Sequence, residues 1–256
     1  MKLSHAGVII GAVLVILLVL AAIFADIVSG HDPIEQNIQN VLESPSSQHP
    51  LGTDRLGRDI LSRVVYGLRT NLGVGALAML IALVAGVFLG GVGALLELVA
   101  GSPGKAINNI VTIFARFLSA GPAILLLLVI AAVRVGGTVA VAVGIALVLI
   151  PGFIRVVGGA VLCRKDISAF ESIGMIVAKA SLNMALAVLL YSILGFIGLG
   201  MQPPAPELGV LVAEGRNFLR DMANAVVYPG LVLAVTVLSF NILGESLNSL
   251  LIRTKI

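Results

Sequence analysis

HPLGTDRLGRDILSRVVYGLRTNL, residues 49–72, lies between two long apolar runs and carries four arginines, two aspartates and three glycines. Within it Ile60, Leu61, Val64, Val65 and Leu68 recur at i, i+1, i+4, i+5 and i+8, one apolar stripe of a helix. Arg55, Arg58, Asp59, Ser62, Arg69 and, more marginally, Arg63 fall off that stripe. Thr53 or Asp54 offers an N-cap after the HPLG turn. Asp54 can pair with Arg58 and Asp59 with Arg63 at i,i+4 spacing, each pair contributing about 0.2–0.5 kcal/mol. The pattern describes an amphipathic helix lying flat at a membrane interface, its arginines in water or headgroups. An amphipathic linker of no particular function would satisfy the same periodicity.

The membrane enters from the composition. The chain has 256 residues, 59% hydrophobic and 11% charged, with a mean hydropathy of +1.11. Soluble domains carry about 25% charged residues, so the expected class is an all-α membrane protein. Six stretches reach the roughly 20 residues needed to cross a hydrocarbon core: 7–27, 72–99, 107–133, 135–154, 176–200 and 223–244. No length remains for a soluble catalytic domain. The organisation expected is a first helix (1–28), an external segment (29–71) and a five-helix core (72–256). The first run is longer than a signal-peptide core and no convincing cleavage site follows it, so it reads as a retained helix. Cys163 is the single cysteine, which excludes an intrachain disulfide. The basic residues flank the spans, which favours lipid headgroups over nucleic acid as their partner. With the N-terminus inside, eight basic residues face in and seven out, while all five lysines fall inside. The cluster from Arg55 to Arg69 is what blurs that count.

Several stretches resemble one family. Residues 49–72 are similar to the segment after the first span in a permease subunit of bacterial dipeptide, oligopeptide and nickel ABC importers. IPGFIRVVGGAVL (150–162), GFIGLGMQPPAPELGVLVAEGRNFL (195–219) and YPGLVLAVTVLSFNILGESLNSLL (228–251) resemble later parts of the same subunit. The resemblance implies a type I importer permease in the bacterial cytoplasmic membrane, both termini cytoplasmic and residues 49–72 outside. It implies a related second permease, two cytoplasmic ATPases that use ATP, and an external substrate-binding protein, with no cofactor on the permease itself. The cargo stays open among dipeptides, longer peptides, nickel complexes and glutathione-like solutes.

Permeases of this class carry a cytoplasmic loop with Glu-Ala-Ala, a glycine three residues on, and later I-x-L-P. In LCRKDISAFESIGM (162–175), alignment on Gly174 puts Ser168, Ala169 and Phe170 in the Glu-Ala-Ala places, with Glu171 adjacent. No I-x-L-P follows, because the next proline after Pro151 is Pro203. The coupling loop, 159–176, is therefore expected to be shortened, with Arg164, Lys165, Ser168, Ala169, Glu171 and Gly174 as its ATPase-facing residues. For Arg164 and Lys165 the plainer reading, as positive-inside anchors, is favoured over an ATPase contact.

Other motifs are weak. Residues 101–106, GSPGKA, lack P-loop spacing and its hydroxyl residue, and read as a turn broken by Pro103 and Gly104. His5, His31 and His49 are scattered along the sequence, so no metal or catalytic cluster is expected. Asn183, Ser192, Ser239 and Asn241 are candidates to line a polar pathway, or to bond helices together. Gly86 and Gly90 form a small-xxx-small pair suited to close helix packing. Three functions compete: an ABC permease, a secondary transporter acting alone, and a structural or regulatory subunit that no longer transports. No midplane carboxylate or inverted repeat supports the second; the shortened loop supports the third.

Overall fold

The computed structural model describes residues 2–120, 137–163 and 168–253. The chain is all-helical among them: α1 Lys2–Ile23, α2 Ala25–Ser29, α3 Ile60–Ala100, α4 Ser102–Ala120, α5 Gly137–Leu162, α6 Ala169–Phe196, α7 Leu208–Gly215 and α8 Asn224–Arg253. Among the described residues five helices are long and apolar enough to cross a membrane: α1, α3, α5, α6 and α8. The third expected span, 107–133, runs into residues outside those described.

The opening segment is not a separate interfacial helix. Residues 53–59 form a tight turn closed by a single bridge between Thr53 and Asp59. The Asp54 side chain accepts from the Leu56 and Arg58 amides at 2.8 and 3.0 Å. Gly57 has φ +70°, and a Cβ there would meet the Asn37 carbonyl at 1.8 Å, so only glycine fits. Asp59, rather than Thr53 or Asp54, caps the following helix, accepting from the Ser62 amide at 2.7 Å. That helix is α3, which continues unbroken for 41 residues. At 1.5 Å per residue it is about 62 Å long, roughly twice a hydrocarbon core. The amphipathic turns and the second span are thus one element.

The small-xxx-small pair packs α3 against α5. A Cβ on Gly86 would fall 2.3 Å from Phe153 Cβ, and one on Gly90 would fall 2.7 Å from the Ile154 carbonyl. Around this seam Ala78, Ala82, Ile145, Leu149, Phe153 and Tyr191 are buried in the main apolar cluster. A second cluster joins α1, α3, α6 and α8 through Ala22, Leu68, Met184, Val188 and Phe240. In the most apolar stretch of α5, 56% of residues are buried, against 11% in α1, so α5 is central and α1 peripheral.

Two connections differ from their expected form. The turn between α3 and α4 is Gly101 alone, at φ +61°, while Pro103 and Gly104 lie inside the first turn of α4. Proline is tolerated there because its missing N–H has no intrahelical partner to lose. The connection between α5 and α6 is only residues 163–168. α6 then runs without a break for 28 residues, about 42 Å.

Candidate functional site

Two polar clusters join one end of the bundle. In the first, Arg58 Nε donates to Asp54 Oδ2 at 2.7 Å and Arg58 Nη2 to Glu214 Oε2 at 3.1 Å. Arg63 Nη1 donates to Asp54 Oδ2, and to Glu214 Oε2 at 3.0 Å. Arg58 and Arg63 are 2% and 3% exposed. This corrects the reading that they face water or headgroups; Arg55 and Arg69 do face outward. The reason is Glu214, a partner brought by α7 that no local periodicity reveals. Asp54 pairs with Arg58 as expected, but Arg63 takes Asp54 and Glu214 instead of Asp59. Burial pushes the Asp54 carboxyl up, but the Arg63 and Arg58 charges outweigh it and hold it below its ordinary value. Arg63 Nε and Nη2 have no partner among the described residues.

In the second cluster Glu207 is fully buried. It caps α7, accepting from the Gly209 and Val210 amides at 2.9 Å each. Asn71 of α3 donates to Glu207 Oε1 at 3.1 Å and to Ser192 Oγ, and accepts from the Leu208 amide at 3.0 Å. Three elements are locked by one amide. Gly195 leaves room for the carboxylate: a Cβ there would fall 1.7 Å from Glu207 Oε2. Burial raises the Glu207 carboxyl above its ordinary value, against the opposing amides and the Asn71 and Ser192 side chains. Asn71, Glu207 and Glu214 escaped the sequence reading. The signal available was two acids, Glu207 and Glu214, seven positions apart inside an otherwise apolar stretch.

The polar residues of the spans are placed as follows. Ser192 belongs to the Glu207 cluster, and Ser239 is buried, donating to the Val235 carbonyl at 2.6 Å. Asn183 is buried, with an amide nitrogen lacking a partner among the described residues, while Asn241 is half-buried. Three of these four are buried within the chain.

At the start of α6, Ser168 and Glu171 make a reciprocal capping box: the Ser168 amide donates to Glu171 Oε2 at 2.8 Å, and the Glu171 amide to Ser168 Oγ at 3.2 Å. Ala169 opens the helix, and Gly174 lies against α8, where a Cβ would meet Leu251 Cδ2 at 2.7 Å. Phe170 and Ile173 are exposed. Arg164 and Lys165 lie outside the described residues.

The histidines are not all scattered in space. The His31 and His49 rings lie 4.8 Å apart, and His49 Nδ1 is 2.9 Å from Asp59 Oδ1. Residues 10 and 18 positions from His49 thus converge on it, an approach that the spacing along the sequence does not show.

Residues 3–45 match the family model for the N-terminal TM domain of oligopeptide transport permease C. The chain is 33% identical to the dipeptide transport system permease protein DppC of Alkalihalophilus pseudofirmus, across 95% of this chain and 84% of that protein. It is 31% identical to the glutathione transport system permease protein GsiD of Pectobacterium atrosepticum, across 93% and 83%. DppC of Haemophilus influenzae aligns at 29% identity over 274 positions, more than the 256 residues of this chain, so that relative carries residues inside the matched region that are missing here. The chain belongs to the family of permease proteins of these bacterial dipeptide and glutathione transport systems, multi-pass proteins of the inner membrane.

Proposed function

We propose that the chain is one of two permeases forming the pathway of a binding-protein-dependent importer for a peptide or glutathione-like solute. The observation that carries this is the match to such permeases along nearly the whole chain. Six spans would put both termini in the cytoplasm and the Asp54–Glu214 cluster outside. The permease is non-catalytic: a separate pair of ATPases supplies ATP hydrolysis, and an external binding protein delivers the solute. Its pathway is closed only by the second permease, and half-buried Asn241 is our candidate among the four polar span residues to face it.

We assign the residues missing relative to the Haemophilus protein to the cytoplasmic loop, because no I-x-L-P follows Gly174 there. About 42 Å of α6 exceeds a 30 Å core by roughly two turns. Those two turns, capped by Ser168 and Glu171 and carrying exposed Phe170 and Ile173, are the ATPase contact in this chain, in place of a separate coupling helix. Arg164 and Lys165 precede that cap in the sequence.

The same short connection favours a second reading, a structural subunit that no longer couples. Co-expression with the cognate permease and ATPases separates the two. Co-purification of the ATPases with the wild-type pair, lost on Phe170→Asp plus Ile173→Asp, supports the coupling reading. Assembly of the two permeases without any ATPase supports the second.

A further inference from the structure

The whole chain has three histidines, and two of them meet at the corner where the segment after α2 passes the start of α3. One donor atom each from His31, His49 and Asp59 lies within 4.8 Å of the others. We propose that these three side chains bind a divalent transition-metal ion of the zinc, nickel or cobalt kind.

The geometry of the buried pair is already close to what an ion needs. With metal–donor bonds of about 2.0–2.2 Å, adjacent donors around one ion stand roughly 3 Å apart, and His49 Nδ1 and Asp59 Oδ1 are separated by 2.9 Å. Both are held from behind. Asp59 Oδ2 accepts from the Ser62 amide and hydroxyl at 2.7 and 2.8 Å, the kind of outer contact that orients a ligating carboxylate. The His49 amide donates to Ser46 Oγ at 3.1 Å, and its carbonyl accepts from Ser46 and Gly52. His31 is the movable member. It is exposed, and rotation about its side-chain bonds is enough to bring a ring nitrogen into the same sphere.

The donor set selects the class of ion. Two imidazoles and one carboxylate suit borderline transition metals, whereas magnesium and calcium take oxygen ligands. Water completes the sphere from a neighbouring cavity lined by Asp26, His31 and Asp32. The carboxylates of that cavity add negative charge beside a dication, and Asp26 is offset in part by exposed Arg69 at 3.3 Å. When bound, the ion ties the segment after α2 to the cap of α3. In the topology proposed above it does so on the outer face, although binding itself does not depend on that topology.

The test uses the full chain purified in detergent without a histidine tag, titrated with Co²⁺ and followed by its visible absorption bands. One Co²⁺ per chain, displaced by Zn²⁺, is expected. His31→Ala removes an exposed ligand without touching the His49–Asp59 bond, so apo stability should stay unchanged. Co²⁺ affinity should fall by at least the roughly 10–100-fold that loss of an outer-shell partner alone costs. His5→Ala should bind as the wild type does. Absence of stoichiometric binding in the wild type, equal affinity in His31→Ala, or loss of binding in His5→Ala would overturn the assignment.

Discussion

Glu207 is a carboxylate with no access to water, and its four partners come from α3, α6 and α7. Removing it orphans two backbone amides and takes one of three partners from the Asn71 side chain. Each buried group left unsatisfied costs about 1–3 kcal/mol, so Glu207→Ala should lower the thermal midpoint strongly, and Glu207→Gln much less. A melt of the purified variants checks the order. Asp54 makes a prediction about pH. Its native carboxyl value is lowered, so its contribution is full above the ordinary value of 3.8 and is lost as pH falls through the lower native one. The stability gap between wild type and Asp54→Asn should therefore be constant near about pH 7 and close only below about pH 4. At this scale the sequence was half legible. The Asp54–Arg58 pair follows from i,i+4 spacing, whereas Glu214 is 156 positions from Arg58, beyond any local rule. The His31–His49 approach is hidden for the same reason, since it depends on a turn folding back.

Element by element, the apolar runs announced the spans because hydrocarbon demands unbroken hydrophobic length. Their ends were less legible. α3 begins at Ile60 instead of residue 72 and α6 at Ala169 instead of 176, since hydropathy weighs the solvent, while helix ends are set by caps. Asp59, and Ser168 with Glu171, supply those caps. Substituting a capping serine by alanine typically costs about 1 kcal/mol, and Ser168→Ala should fray the first turn of α6, read as faster amide exchange at Ala169 to Ser172. The glycine pair was readable outright. Gly86→Val would force a side chain into Phe153 and the Ile150 carbonyl. Overpacking of this kind costs about 1–3 kcal/mol, measurable as a lower midpoint, while Gly73→Ala, which meets nothing within 4 Å, should be near neutral.

For the whole molecule, orientation and power source are the open physical questions. Arg55 is exposed beside the buried Arg58, so Arg55→Cys in a Cys163→Ser background should react with an impermeant thiol reagent added outside intact cells. Labelling only after lysis would invert the topology. The composition made the membrane legible, because hydropathy does not depend on tertiary contacts. Coupling was not legible, since under the proposed function it belongs to a surface completed by another chain.

The most direct measurement of the central claim is solute uptake against a gradient in sealed vesicles, with and without the ATPases. The account predicts accumulation when both permeases, the ATPases, the binding protein and ATP are present, and none when the ATPases are omitted. Uphill accumulation by this chain alone, driven by an ion gradient, would contradict it.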